Sequence, residues 1–416
     1  MTPAARHAAA IEVLERWVEG EVGLDRVLTA WGRSHRFAGS GDRHAIADIV
    51  HGVLRRARAL QWLGRGGDAG STLGAFRPRT AVLTHAVLAG FEPEAIAGAD
   101  RHAPPSLSAA EAAALARLGA DGAEVCLADA PLGVRVSLPD WLLDRLSDVP
   151  EKSLAVLGER APVDLRVNTL KSSPEVAATA LAAEGVETAA GPLAATCLRV
   201  TEGARRVARS AAYRDGLVEL QDAASQAVVE RAGAAPGMVV LDFCAGGGGK
   251  TLALAAAMGG PQPSDGRLIA HDAAPLRMAD LAPRAARAGA RVETMASGAR
   301  DALTGQCDLV LTDVPCSGSG AWRRNPDARW RLTQTRLEAL CATQAQILIE
   351  AAPLVRPGGR LVYVTCSIIA DENDAAVTKF LTERPDFAKI QNSCFSTLPD
   401  RHGGDGFFSI SLARSP

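Results

Sequence analysis

No stretch of this 416-residue chain is apolar for long enough to span a bilayer. The start, Met1-Thr2-Pro3-Ala4-Ala5-Arg6, runs into Glu12, Glu15 and Arg16 without the apolar core of a secretory leader. Both absences predict a cytoplasmic protein. No Cys-x-x-Cys pair occurs among the eight cysteines, which argues against a zinc knuckle and against a disulfide framework. Cys126, Cys197, Cys307, Cys341 and Cys394 have no motif around them and read as reduced, buried small hydrophobes. The formal net charge is only -2, so nothing global draws a polyanion, and nucleic-acid binding would have to come from local patches. Lysine is scarce. Lys152, Lys171, Lys250, Lys379 and Lys389 stand against a background in which arginine supplies the cations.

With 47% hydrophobic and 22% charged residues, the chain has the composition of an ordinary globular protein and the length for two or three domains. Residues 1–145 read as helical throughout. Ile46, Ile49, Val50, Val53 and Leu54 fall at i, i+3, i+4, i+7 and i+8, the stripe of a helix facing a core, and Ile11, Leu14 and Val18 suggest another. Arg33, Arg36, Arg43, Arg55, Arg56 and Arg58 cluster around the first of these stripes. They fit a phosphate-binding patch, since guanidinium forks match phosphate oxygens. They fit equally a composition that uses arginine wherever a solvated cation is wanted.

Near Glu151 the pattern changes to alternating strands and helices. Residues 151–235 read as a small α/β lead-in, with a strand over 163–168, a helix from Pro174 to Glu184 ending at Gly185, and another helix starting near Gln221. From 236 to 416 the pattern is strand, turn and helix, with strands expected at 238–243, 267–271, 291–295, 308–312 and 360–364. The longest intervening helix is expected at 335–355. Short apolar strands separated by helices imply a parallel sheet covered on both faces, so the fold class is α/β, doubly wound and Rossmann-like, behind an all-α domain.

Chemistry concentrates at the ends of these strands. The glycine-rich turn Cys244-Ala245-Gly246-Gly247-Gly248-Gly249-Lys250 lets backbone approach a polar or anionic group at a helix start. Asp272 ends the next strand about 20 residues on, where a carboxylate can accept both hydroxyls of a ribose. The lesser alternative is that it caps the helix that follows. Cys316, in Asp313-Val314-Pro315-Cys316-Ser317-Gly318, and Cys366, in Thr365-Cys366-Ser367, each lie just beyond an apolar strand and so face one crevice. Two thiols there suggest covalent chemistry on a bound substrate. Gly249-Lys250-Thr251 is not a P-loop, because Cys244 stands where its first glycine belongs. A zinc deaminase is excluded as well, since Ser319 replaces the second cysteine of its motif and no His-x-Glu occurs.

These strings resemble the cofactor loop and the two cysteine motifs of the RsmB/NOP/NSUN RNA cytosine-C5 methyltransferases. Arg166-Val167-Asn168-Thr169-Leu170-Lys171, Gln221-Asp222 with Ser225, Arg324-Asn325-Pro326-Asp327 and Asp405-Gly406-Phe407-Phe408 extend the likeness from about Asp164 to the C-terminus. Asp42-Arg43 and Gly52-Val53-Leu54-Arg55 are similar to the NusB-like RNA-binding domain of the bacterial RsmB branch. The resemblance implies S-adenosylmethionine as methyl donor, held by Cys244, Ala245, Gly246, Gly247, Gly248, Gly249, Lys250, Asp272, Arg277 and Asp313. It implies Cys366 as the nucleophile toward cytosine C6, Cys316 as the aid to product release, and Asp313 at the N3/N4 edge of the base. Lys171 would supply positive charge near the thiol or contact RNA, and Arg323, Arg324 and Arg331 would contact RNA or simply form a solvated surface. RNA is the implied partner, small-subunit ribosomal RNA ahead of transfer RNA, with a monomer, no metal and no membrane expected. DNA cytosine-C5 methyltransferases use the Pro-Cys cysteine as their nucleophile, and the Thr-Cys-Ser motif points away from them.

Two positions depart from the family pattern. Gly247 stands where proline is usual, which loosens the turn. After the third strand, Ala296-Ser297-Gly298-Ala299-Arg300 lacks the acidic residue usual beside the adenine, and Asp301 is out of register. The alternative that this departure leaves is an RNA-binding homologue without methyl transfer.

Overall fold

The structure, a computed structural model, describes residues 1–67, 70, 72–259 and 266–416. The chain divides into two compact units, Met1–Arg160 with Trp322–Thr333, and Ala161–Ala321 with Gln334–Pro416.

Helices at Pro3–Glu19, Leu24–Ser34, Ser40–Arg55, Ala57–Gly64, Pro78–Leu88 and Ala109–Leu127 build most of the first unit. The first begins at Thr2, whose hydroxyl accepts from Ala5 N, with Pro3 at the first helical position, where a missing N–H costs nothing. Ile46, Val50, Val53 and Leu54 are buried against Leu14 and Trp17, and each such side chain contributes roughly 1.5–3 kcal/mol. The unit continues through a helix at Glu151–Val156 to Arg160. None of its described helices, nor any other, is long and apolar enough to cross a membrane.

The segment Trp322–Thr333 belongs to this unit although it lies in the later part of the chain. Trp330 donates its indole N–H to Leu54 O at 3.0 Å, and Arg331 Nη2 donates to the carbonyls of Trp17, Gly20 and Val22. Arg323 is 1% exposed and its carbonyl accepts from Arg55 Nε. Arg323 is therefore buried within the unit, which corrects the expectation that it meets RNA, whereas Arg331 is half-buried. Arg324 is half-buried. Arg58 leaves the expected surface cluster too: it is buried and ion-paired to Asp140 at 2.6 Å.

The second unit holds two sheets. Strands β1 (Asp164–Val167), β2 (Glu187–Ala190), β3 (Cys197–Glu202) and β4 (Val218–Leu220) form an antiparallel sheet in the order β2-β3-β1-β4. The helix Pro174–Ala182 packs on it through Ala177 and Leu181. The larger sheet contains β5 (Val239–Asp242), β6 (Arg267–Ala270), β7 (Glu293–Thr294), β8 (Cys307–Asp313), β9 (Val355–Thr365), β10 (Phe387–Lys389), β11 (Phe395–Thr397) and β12 (Phe407–Arg414). Its order is β10-β12-β9-β8-β5-β6-β7, with β11 on β12. Strands β5 to β9 are parallel, and core clusters around Leu241 and Tyr363 on one face and Val240 and Val364 on the other cover both sides. The chain winds from β5 to β7 in one direction and resumes at β8 on the other side of β5. The crevice beyond the ends of β5 and β8 is thus the place where such sheets bind ligands.

Two details differ from expectation. The strand expected at 291–295 shrinks to β7, because it pairs only with β6 at the sheet edge. The sheet is not wholly parallel, since β12 returns antiparallel to β9 and carries β10 and β11.

Candidate active site

The turn after β5 is shaped by its glycines. Gly248 has φ +83 and precedes the helix Gly249–Ala257, and a Cβ there would fall 2.3 Å from Leu281 Cδ1. Gly246 N donates to Asp272 Oδ2 at 3.0 Å, and Gly249 O accepts from Arg166 Nη1 at 2.8 Å. Arg284 donates to Gly247 O and, at 3.0 Å, to Glu219. Arg166, buried beneath the turn, has its guanidinium pushed down to about 10 by burial. The buried Asp272 carboxylate also accepts from Ala274 N at 2.9 Å and pairs with Arg277 at 3.3 Å. Of the two expectations for Asp272, these contacts show only the turn-capping one, and its carboxylate does not itself line the cleft. It fixes the turn that follows it, and its partner Arg277 lines the cleft beside the glycines.

Asp242, the last residue of β5, also faces this cleft and was passed over in the sequence. Its Oδ2 accepts from Thr251 Oγ1 at 2.6 Å, while the buried Oδ1 has no protein hydrogen-bond partner. Burial pushes this carboxyl up to about 7. The signal that could have found it is its place, a carboxylate at a strand end directly before a glycine turn.

The ends of β8 and β9 bring the two expected cysteines together, with Sγ atoms 3.4 Å apart. The Cys316 thiol is pushed well above the ordinary cysteine range, first by the hydrogen bond with Cys366, then by burial and by the Glu372 charge. Cys316 therefore stays protonated at neutral pH and can serve as a hydrogen-bond donor to the Cys366 sulfur. Lys250 Nζ, at the start of the glycine-turn helix, pairs with Asp313 Oδ2 at 2.6 Å and sits 5.4 Å above the Phe407 ring. Burial alone would lower the Lys250 ammonium. The charge of Asp313, with Cys366 and Asp242 behind it, outweighs burial and holds the group above the usual lysine value. Lys250 thus lines the same cleft as Cys366. Lys171, expected near the thiol, instead donates to the carbonyls of Asp215 and Arg287 and does not line the cleft.

A buried carboxylate that the sequence reading missed fixes the two thiol loops to each other. Glu372 accepts from Ser317 N (2.7 Å), Ser317 Oγ (2.5 Å), Ser367 Oγ (2.5 Å) and Gln344 Nε2 (3.0 Å). Ser317 follows Cys316 and Ser367 follows Cys366, so one side chain sets the register of both sulfurs. Behind them, Gly320 N donates to Cys366 O and Gly406 N donates to Gly320 O. A Cβ on Gly320 would strike Gly406 O at 2.0 Å and one on Gly406 would fall 2.4 Å from Ile368 Cγ2, which explains a glycine at each position.

The motif-less cysteines form no disulfide: Cys197 and Cys307 are buried as expected, but Cys126 and Cys341 are half-buried and Cys394 is exposed, in the turn before β11. Asp301 is exposed in the turn Ser297–Leu303 and does not line the cleft. The cleft itself measures about 600 Å³ and is lined by the glycine turn, Asp242, Lys250, Asp313, Cys316 and Cys366. That size suits a nucleoside-sized ligand.

Residues 234–413 match the family model of the 16S rRNA methyltransferases RsmB/F, and residues 138–207 match the ferredoxin-like domain of RsmF/B-like methyltransferases. The chain is 31% identical over 308 residues, 68% of each chain, to the "Probable ribosomal RNA small subunit methyltransferase B" of Synechocystis sp.. It is 28% identical over 431 residues, 97% of each chain, to the ribosomal RNA small subunit methyltransferase B of Erwinia tasmaniensis. Two solved structures share the fold at 23% identity. The crystal structure of PH0851 matches with a TM-score of 0.72 over 99% of both chains. A methyltransferase homologue from Pyrococcus horikoshii matches with 0.59 over 68% of this chain and 97% of that one. With its thiol pair at the strand ends, its glycine turn and these relatives, the chain belongs to the RsmB/NOP/NSUN family of RNA methyltransferases.

Proposed function

We propose that the protein methylates C5 of a cytosine in RNA, using S-adenosylmethionine and a transient covalent bond from Cys366 Sγ to C6. The observation that carries this reading is the thiol pair, 3.4 Å apart, beside the Lys250–Asp313 ion pair in a cleft that ends at a glycine turn. The glycine turn, Asp242, Asp272 and Arg277 would hold the methyl donor, and the partnerless Asp242 Oδ1 suits its ammonium group. When bound, the donor supplies an electrophilic methyl group on a sulfonium sulfur.

Cytosine C5 is a weak nucleophile, and adding the Cys366 thiolate to C6 turns the C5–C6 double bond into an enamine that can attack the methyl group. Lys250 stabilises the thiolate before attack and holds Asp313, which accepts from the exocyclic amine of the base as charge builds in the ring. A base then takes the C5 proton, the C–H electron pair re-forms the double bond, and Cys366 leaves as a thiolate. Cys316, kept as a thiol, donates a hydrogen bond to that departing sulfur and eases its release. Small-subunit ribosomal RNA is the proposed substrate, because relatives aligned over nearly the whole chain carry that name. Transfer RNA is the second choice. The helical unit is proposed as a NusB-like RNA-binding domain.

Methyl transfer from labelled S-adenosylmethionine to undermodified small-subunit RNA, with mapping of 5-methylcytosine, tests the reading. Transfer should vanish in Cys366→Ala, whereas Cys316→Ala should accumulate protein covalently bound to RNA. The reverse pattern would overturn the assignment of the two thiols. No transfer to ribosomal RNA or to total RNA would favour the non-methylating homologue, whose motive is the missing carboxylate near Asp301.

A further inference from the structure

The helical unit contains a second polar cavity that the methylation chemistry does not use. It measures about 310 Å³ and is lined by Arg55, Arg56, Arg135, Ser137 and Glu159, together with Val136, Ala155 and Gly158. Three elements of the unit meet there: the end of the helix Ser40–Arg55, the turn at Val136 and Ser137, and the end of the helix Glu151–Val156.

The charges around this cavity do not balance. Arg135 is neutralised by a bidentate pair with Glu151 at 2.9 and 3.0 Å. Among the described residues the Arg55 guanidinium donates only to the Arg323 carbonyl, and the carboxylate that offsets its charge, Asp48, is itself paired with Arg160 at 3.3 Å. Arg56 is half-buried, and its guanidinium, unlike its backbone, has no hydrogen-bond or ion-pair partner among the described residues. Beneath them, the fully buried Arg329 guanidinium donates to the carbonyls of Arg55, Ser137 and Leu157. No carboxylate offsets Arg329 among the described residues. Burial, then Arg160, pushes Arg55 down to about 10, and burial, then Arg55, pushes Arg329 down to about 9. These guanidiniums remain charged at neutral pH and repel one another. Glu159 is the single acidic residue of the lining.

Ser137 adds a donor and a sign of strain. Its Oγ accepts from Ala59 N at 3.2 Å, which leaves its own hydroxyl hydrogen to donate, and Ser137 is one of the residues lining the cavity. Its φ is +51, a left-handed conformation that serine adopts at a cost and that functional sites tend to retain.

We propose that this cavity binds a phosphate group through Arg55, Arg56 and the Ser137 hydroxyl. In the working enzyme the phosphate is a backbone phosphate of the RNA, a contact that positions the substrate without reading its sequence. That source rests on the RNA reading above, whereas the phosphate site itself does not.

The test compares the intact chain with Arg56→Ala and Arg56→Gln, the second keeping most of the stem that packs near Gly158. Circular dichroism checks that each variant is folded. Inorganic phosphate, titrated calorimetrically, should bind the intact chain and bind both variants about tenfold or more weakly, as expected for a lost charge-assisted hydrogen bond. Equal binding by all three overturns the site. Binding of a labelled single-stranded oligoribonucleotide, measured against salt, should weaken in both variants by the same factor for unrelated sequences. The slope of log affinity on log salt should fall by about one. An unchanged slope alongside lost phosphate binding overturns RNA as the source. Neither arm requires methyl transfer, so failure here is distinguishable from failure of the proposed reaction.

Discussion

Lysine is so sparse in this chain that single residues can be followed from sequence to role. Lys250 and Lys171 both fall in family-like strings, but only Lys250 reaches the cleft, because it starts the helix whose N-terminus the glycine turn creates. Replacing Lys250 by Gln removes the partner of Asp313 and a cation that lines the same cleft as Cys366. Single-turnover methyl transfer should slow by about 10- to 100-fold, while Lys171→Gln should leave it unchanged. Gly247 gives a prediction of opposite sign. Unlike Gly246 and Gly248 it is not in the left-handed region, and its N–H has no acceptor among the described residues. Gly247→Pro should therefore stabilise the chain by about 0.4–1 kcal/mol in urea titration and tighten methyl-donor binding. Asp242 predicts a pH effect. Burial raises its folded-state value to about 7 from an unfolded value of 3.8, so the folded chain holds this proton more tightly. The carboxyl is harmless near pH 4 and costs stability increasingly as pH rises toward 7. Asp242→Asn, which can still accept from Thr251, should remove that fall from a plot of melting temperature against pH.

At the scale of elements, both thiols were legible because each follows an apolar run, and position beyond a parallel strand has a fixed meaning in this architecture. Glu372 was not legible. It stands in Asp371-Glu372-Asn373-Asp374, which has the look of a solvated charge run, and only the tertiary fold buries it under Ser317 and Ser367. The strand Phe407–Arg414 shows period-two alternation at Phe408, Ile410 and Leu412, yet its direction against β9 depends on how the chain returns, which is not a local property. The buried clamp carries its own prediction. Glu372→Gln replaces one charged acceptor by an N–H₂ facing serine and amide donors, and should cost about 3 kcal/mol of stability. At a permissive temperature kcat should fall while KM for RNA is kept, since the variant disturbs the spacing of the sulfurs rather than the surface that meets RNA. An equal change in both constants would show that Glu372 only supports the fold.

At the scale of the whole molecule, the chain leaves the methyltransferase unit at Ala321, contributes Trp322–Thr333 to the helical unit, and resumes at Gln334. A reading of consecutive domains cannot see this, because the segment's own composition, with Trp330, Leu332 and three arginines between 323 and 329, does not say which core it joins. The consequence is that no single cut separates the units. In the full chain Trp330 is 9% exposed, Leu332 5% and Arg329 fully buried. A Trp330→Ala chain should lose about 3–5 kcal/mol, the usual cost of deleting a buried aromatic side chain, and more if the bond to the Leu54 carbonyl is not replaced by water. A fragment beginning at Ala161 keeps the segment but removes what surrounds it, leaving an exposed indole and donors without acceptors. It should therefore bind a hydrophobic dye and aggregate on warming. The same fragment with residues 322–333 exchanged for a short Gly/Ser loop should stay monomeric and still bind the methyl donor, because none of the residues lining the methyltransferase cleft comes from the segment. Aggregation of both fragments would show instead that the second unit cannot fold without the first, and sedimentation of the two side by side decides the matter.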